Sequence, residues 1–502
     1  MDHDLKRGFR SLVSAKVLAS VIGVVALPFV VRVLGSDGYG DYAFLMSTFS
    51  MLMLFVSPLV TEGVQKFVAE DRARDDWQAQ VLAFYLRLAL VAALLGSLLV
   101  ATITWTGAIE RVLEPRFTVF FYFLAALVVV IQLQMFTRHA LLGLGLEHFS
   151  ESFSVGKKLG SRVGGLALAA VGFGVAGFLA ANIVTSFLVA VAGFVVLRRR
   201  VSVREVFRAT PDVPTRKLLS FNGLNVVTVM LMMSLSHVDV IMVRLFRDGA
   251  AAGHYKAALV VAEYLWLVPM ALQSLLLHSG SRLWSQGKTD RIEQLTSDLT
   301  RYVFLATSLL AIGIYVLADR VVPLYFGAEF TATVEPLALL LPGVVGFALA
   351  RPIYAVNKAS GRLGLLVGAL GVAAVFNLAA NAVLIPRYGL SGAAVATSAS
   401  YGSMFLLQAW CAHELGYSPV QSVRPGRALV TVLVSLGAIY VVDAAIRSDY
   451  VALAVVPAVG AVVFTAVALS TGAIDRSELG LVTSLLPAPL AERVRSIAAR
   501  VR

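Results

Sequence analysis

Charge is scarce in this chain. Only 14% of its 502 residues are Asp, Glu, Lys or Arg, while 58% are apolar. A water-soluble protein carries about a quarter charged residues, so water is not the main solvent here. Cysteine is scarcer still: Cys411 stands alone, which rules out an internal disulfide framework and leaves no Cys/His cluster for a metal. Nucleotide motifs are missing too. No G-x-x-x-x-G-K-[ST] is present, and Gly172-Phe173-Gly174-Val175-Ala176-Gly177, which satisfies G-x-G-x-x-G, lies between two apolar runs rather than after a strand. With neither H-E-x-x-H nor G-x-S-x-G, hydrolytic chemistry has no place to sit, and neither a cofactor nor a catalytic residue is expected.

Long apolar runs are what the chain has in abundance. Runs such as 12–35 and 303–318 approach or exceed the roughly 20 residues a helix needs to cross about 30 Å of hydrocarbon. The breaks between runs predict fourteen spans, near 11–34, 42–66, 81–104, 118–142, 154–172, 176–197, 219–243, 256–281, 302–324, 336–357, 363–385, 390–412, 428–446 and 450–471. The first follows Lys6, Arg7 and Arg10 as a signal peptide would, but it is long and further spans follow, so it reads as a retained helix.

The net charge of +12 is distributed unevenly along the chain. With an N-terminus in the cytoplasm, the outer side holds Arg32, Arg111, Arg116, Arg244, Arg247, Lys256, Arg320, Arg387 and Arg447, nine of the 42 Lys and Arg residues. Basic loops collect on the cytoplasmic side of membranes, so the bias places both termini in the cytoplasm. It also accounts for +12 through attraction to anionic membrane lipids, with no nucleic-acid partner.

Two patterns recur. Arg32-Val33-Leu34-Gly35-Ser36-Asp37-Gly38-Tyr39-Gly40-Asp41-Tyr42, after the first span, lines up with Arg244-Leu245-Phe246-Arg247-Asp248-Gly249 through Gly253-His254-Tyr255 after the seventh. Phe173-Gly174-Val175-Ala176-Gly177 matches Tyr388-Gly389-Leu390-Ser391-Gly392 at nearly the same separation. Agreement of the two offsets indicates a duplication. The expected organisation is an N-lobe over 1–205, ending in the basic linker, and a C-lobe over 206–420. These are six-helix lobes related by a pseudo-two-fold along the membrane normal. Two accessory, nearly uncharged spans follow over 421–472, then a cytoplasmic amphipathic tail over 473–502, where Leu490, Val494, Ile497 and Val501 share a face. The fold class is therefore all-α, polytopic and membrane-embedded.

Ionisable residues inside spans cost at least about 2.5 kcal/mol each at mid-membrane unless paired or wetted, so they mark a cavity or a partner. Lys16, Arg87, Arg301 and Arg351 fit either a cavity or snorkelling to the cytoplasmic interface. Glu62 and Lys66, four apart, fit a local helix pair. His237, Asp239, Arg244 and Lys256 cluster near the end of the seventh span and the start of the eighth. Glu263, beside Tyr264 and Trp266 in an apolar run, fits cation coupling or gating as well as a pair with a buried Lys or Arg. Basic residues outnumber acidic ones in this set, which matches an anionic group such as a phosphate better than a cation.

Leu34-Gly35 followed by Gly38-Tyr39-Gly40-Asp41-Tyr42, with Val238-Asp239 and then Gly253-His254-Tyr255-Lys256-Ala257, resembles the prokaryotic Wzx-type polysaccharide-biosynthesis flippases. These sit in a superfamily with the MATE multidrug exporters and the peptidoglycan lipid flippases. The resemblance implies a protein of the prokaryotic cytoplasmic membrane that is a transporter and not an enzyme. It would translocate a polyprenyl-linked oligosaccharide from the cytoplasmic to the outer leaflet by alternating access, for cell-surface polysaccharide or glycan assembly. It further implies a cationic cavity, for which Lys16, Arg244 and Lys256, with Arg87 behind them, are the substrate-binding positions carried over. Asp239 and Glu263 are the coupling or gating candidates, H+ and Na+ the candidate ions, and glycan-assembly proteins candidate partners. A cation-coupled exporter of drugs or small solutes is the alternative; a membrane-embedded glycan polymerase, which needs a large outer loop, ranks last.

Overall fold

A computed structural model describes residues 3–70, 76–199, 201 and 223–474, with side chains from Val21 onward except at 59, 223, 225 and 278. The linker beyond 201 and the tail beyond 474, with its expected amphipathic face, lie outside the described residues. Among those residues every regular element is helical. In chain order they are α1 (His3–Val56), α2 (Pro58–Val68), α3 (Trp77–Trp105), α4 (Arg116–Gly143), α5 (Glu147–Leu168), α6 (Gly174–Leu197), α7 (Gly223–Phe246), α8 (Gly249–Glu263), α9 (Leu267–Ser285), α10 (Thr289–Phe326), α11 (Val334–Ala359), α12 (Leu363–Glu414), α13 (Pro425–Ala444) and α14 (Asp449–Ser470).

Among the described residues, eleven helical stretches are long and apolar enough to cross a membrane. Most end within a few residues of the expected boundaries. Three of the eleven contain a break that only glycine tolerates. In α1 it is Gly35 (φ 67°, ψ 177°); between α5 and α6 it is Gly172 (φ 100°) and Gly174 (φ 48°, ψ −127°); in α12 it is Gly389 (φ 59°, ψ −130°). Gly174 and Gly389, matched positions in the duplicated motif, share one backbone conformation. A Cβ at Gly177 would meet Leu168, and one at Gly392 would meet the Leu384 carbonyl, so both hairpins close tightly after the break.

α10 runs further than its apolar stretch. Its first turns, Thr289 to Arg301, are amphipathic: Ile292 is buried, and Glu293 and Ser297 accept hydrogen bonds from the backbone amides of Ser418 and Ser422 at 2.8 and 2.6 Å. Hydropathy alone misses such an extension, because its length is set by those polar ties.

The described chain divides into compact units at Gly253. In the first, Phe44, Leu45, Phe117, Leu124, Leu127 and Leu179 join α1, α4 and α6, while Val64, Phe67, Trp77, Tyr85 and Phe136 join α2, α3 and α4. Trp77 Nε1 donates to the Phe67 carbonyl at 2.9 Å. In the second, Gly343 and Gly346 let α11 cross α12 at Ser398 and Gly402. Ile312, Leu317, Ile439, Val456 and Phe464 seal α13 and α14 onto α10, and Arg320 clamps the turn between α13 and α14 through Asp443 at 3.1 Å and Asp449 at 2.8 Å. Many large apolar side chains are exposed, among them Leu94, Leu95, Leu98 and Leu99 on α3 and Leu433, Val434 and Val441 on α13. Such faces suit hydrocarbon rather than water.

Candidate functional site: an arginine joint in the first unit

The kink at Gly35 starts a new helical segment with Asp37 and Asp41 on one face, four residues apart. That segment meets the α7–α8 corner backbone to backbone. A Cβ added at Gly40 would strike the Gly249 carbonyl, one at Gly253 the Ser36 carbonyl, and one at Gly249 the Asp37 side chain. Asp248 shapes the corner by accepting a hydrogen bond from the Ala251 amide at 2.7 Å, an N-cap for α8. The two duplicated glycine motifs are therefore packed against each other, and no larger residue fits where they touch.

This closeness brings Arg244, in the last turn of α7, onto Asp41. Arg244 Nε donates to Asp41 Oδ1 at 2.7 Å and Nη2 to Glu114 Oε2 at 2.6 Å; its guanidinium lies 4.9 Å from the centre of the Phe117 ring. Arg116, at the start of α4, closes the set on Asp41 Oδ2 at 2.8 Å and Asp37 Oδ2 at 2.9 Å. The side chains of Arg244 and Asp41 are 5% and 1% exposed, whereas that of Glu114 is 51% exposed, so one end of the network is dry and the other wet. Burial raises the Glu114 carboxyl, but its own backbone amide, the Arg244 hydrogen bond and the Arg244 and Arg116 charges outweigh that and hold it below the ordinary carboxylate range. Three carboxylates and two guanidiniums thus tie α1, the loop before α4, α4 itself and α7 into one joint.

Of the residues singled out by sequence, Arg244 lies at the centre of this joint, held by carboxylates. Asp239 is fully buried one turn earlier on α7, its Oδ1 accepting from the Val240 amide at 2.8 Å. His237 Nδ1 lies 3.3 Å from Ser47 Oγ on α1. Arg87 is exposed on α3, away from the joint's residues in sequence. The Lys16 side chain lies outside the described residues. In the second unit, Lys256 is half-buried, with no ion pair among the described residues, and Glu263 is half-buried within the field of Arg351. Arg301, 3% exposed, lies over the Tyr302 ring at 5.1 Å.

Asp41, Glu114 and Arg116 were not among the residues picked out. Asp41 stood in the glycine motif that carried the repeat, and an acidic residue four after another, just past a helix-breaking glycine, is the signal that could have found it. A further buried polar set in the first unit pairs Arg138 with Glu151 at 3.1 Å and Lys157 with Gln134 Oε1 at 3.1 Å.

Comparison with known proteins agrees with this architecture. The profile of the family described as polysaccharide biosynthesis protein matches residues 5–275, more than half of the chain. Over 229 residues the chain is 26% identical to a probable low-salt glycan biosynthesis flippase, Agl15, of Haloferax volcanii. The match takes in 45% of this chain and 48% of that one, so the chain spans about half the length of that curated relative. Among solved structures, the fold is similar to that of the lipid II flippase MurJ in an inward closed conformation, with a TM-score of 0.73 at 13% identity over 90% of this chain and 97% of that one. It is also similar to a multidrug resistance MATE transporter of the MOP superfamily in an inward-facing conformation, with a TM-score of 0.65 at 11% identity over 79% and 94%.

Proposed function

This chain belongs to the polysaccharide biosynthesis protein family, and from that premise we propose that it flips a polyprenyl-linked oligosaccharide from the cytoplasmic to the outer leaflet by alternating access, supplying cell-surface polysaccharide or glycan assembly. The printed functions of its relatives, glycan biosynthesis flippase and lipid II flippase, support this reading. Counting each of the three glycine-broken stretches as two crossings, the eleven become fourteen, with two six-span lobes over 1–205 and 206–420 followed by two added spans.

The observation that carries the reading is the Arg244 joint. In the orientation given by the basic residues it lies at the outer end of the first unit, where we read it as a latch. A joint of ion pairs and closely packed glycine backbone can stand in two states, made and broken. An anionic cargo gives the guanidinium another partner. A phosphate offers oxygens in the geometry of a carboxylate, so it competes with Asp41 and Glu114 for the same donors. Lys16, Arg87 and Lys256 supply further positive charge for that cargo, and Asp239 and Glu263 serve gating or coupling to H+ or Na+.

The test is flipping by the purified full chain in liposomes. With a polyprenyl-diphosphate oligosaccharide in both leaflets, a membrane-impermeant glycosidase digests about half the glycan of protein-free vesicles; with the protein, digestion goes toward completion. Arg244→Ala slows the second phase at equal reconstitution. A protected half that persists, together with drug efflux under an ion gradient from the same vesicles, would instead establish the exporter alternative.

A further inference from the structure

Arg351 is a half-buried cation of the second unit that the latch leaves unexplained. It lies on α11 eight residues before that helix ends at Ala359, about 12 Å along the axis from the helix end. Its guanidinium lies 4.7 Å from the Trp266 ring centre and 4.8 Å from that of Phe347, and because the two ring centres are 4.9 Å apart both rings lie on one side of it. That pair is itself rigid: Phe347 stacks on Tyr401 at 5.1 Å, Trp266 meets both rings edge-on, and Trp266 Nε1 donates to the Val344 carbonyl at 2.9 Å. Aromatic rings attract a cation without neutralising it, and they do not accept its N–H groups as a carboxylate would.

The in-plane partners are few. Nη1 donates to Gln273 Oε1 at 3.0 Å, and Nε is buried with no hydrogen-bond partner among the described residues. No carboxylate lies within ion-pair distance of Arg351 among the described residues. The charged and titratable groups around it are Glu263 on α8, Tyr354 on α11 and Tyr401 on α12, and of these only Glu263 is acidic at neutral pH. Here the contrast with Arg244 decides the matter. Arg244 has two carboxylates on its donors, whereas Arg351 has one neutral amide among the described residues, and a guanidinium so poorly matched beside apolar side chains is costly unless an anion completes it.

We propose that Arg351, with Gln273 beside it and the Trp266–Phe347 pair on one side, is an anion-binding site for a phosphate or diphosphate ester. This deepens the flippase reading and rests on it, since that cargo carries such a group. It gives the second unit its own phosphate contact, independent of the latch in the first. Glu263 limits the site to a ligand that retains a proton or shares its charge with a further cation.

Trp266 touches the guanidinium and reports on it directly. The full chain is labelled with 5-fluorotryptophan, placed in phosphatidylcholine nanodiscs and followed by 19F NMR, the Trp266 line being assigned by Trp266→Phe. Farnesyl diphosphate is expected to shift that line in a saturable way and farnesol to leave it in place. Inorganic pyrophosphate in the same discs, and discs containing phosphatidylglycerol, separate a soluble phosphate or a bulk anionic lipid from the prenyl-linked group. Arg351→Gln abolishes the shift and Arg351→Lys retains a weaker one, with unchanged lines from the other four tryptophans serving as the folding control. A Trp266 line unmoved by every phosphate probe, or moved equally in Arg351→Gln, overturns the proposal. Because flipping is not the readout, that outcome leaves the transport reading standing, and a shift without flipping leaves the anion site standing.

Discussion

At the scale of single residues, Arg244 and Asp41 form the pair on which the first unit depends most. Both are nearly inaccessible, so removing one charge strands the other where water does not reach. Loss of one partner from a buried pair costs about 3–5 kcal/mol, and the contact kept with Glu114 places Asp41→Asn near the lower end of that range. Thermal unfolding in detergent should show that loss, and Asp41→Asn/Arg244→Gln should recover much of it because no buried charge is left unmatched. Glu114 is the titratable arm. Its carboxyl is held below the ordinary value of 4.5, so the fold favours the charged form, and the stabilisation is fully present above 4.5 and lost as pH falls through the lowered value. The difference in melting temperature between the native chain and Glu114→Gln should therefore stay flat from about pH 5 to 8 and shrink below that range. A difference that changes across neutral pH would assign the proton to another group. From sequence, Arg244 was legible as a special residue because a charge near a membrane span is costly. Its partners were not, because they lie 203 and 130 positions away and hydropathy carries no information about which loops meet.

At the scale of helices, hydrophobic runs lie close to the helical stretches, while the repeat expected from sequence surfaces only in short motifs. What the two matched glycine motifs share is a backbone requirement. Gly174 and Gly389 hold the same left-handed φ with ψ near −130°, a region that residues with a Cβ avoid. Their neighbours differ, Val175-Ala176 against Leu390-Ser391, because lipid and core packing accept any side chain of suitable size. Gly174→Ala and Gly389→Ala should each lower stability by about 1–3 kcal/mol, and by similar amounts. Gly371→Ala is the comparison: it lies within α12 with open space around its Cβ position, and helix propensity predicts a gain of about 0.5–1 kcal/mol. Equal losses at all three positions in a melting series would remove the special standing of the two breaks. The long α10 shows the converse limit. Its polar first turns follow from hydrogen bonds to the 418–422 segment, and no periodicity of apolar residues announces those.

At the scale of the molecule, orientation turns a set of helices into a direction of transport. Arg244 and its carboxylates act as an outer latch only if the α3–α4 loop faces outward, and that placement rests on the uneven distribution of Lys and Arg. The single buried Cys411 makes the test simple, since Cys411→Ser leaves a background without thiols. Val112, 71% exposed in the α3–α4 loop, and Gln286, exposed just after α9, lie on opposite sides in the expected topology. A cysteine at 112 should react with a membrane-impermeant maleimide on intact cells, and one at 286 only after permeabilisation. The reverse pattern would place the Arg244 joint in the cytoplasm, where the same ion pairs would guard the entrance for cargo rather than its exit. Labelling of both from outside would break the alternation of helices on which the fourteen-span count depends. The expected pattern would place the joint on the outer side, where, under the proposed function, the cargo's phosphate would compete with Asp41 for Arg244 before leaving.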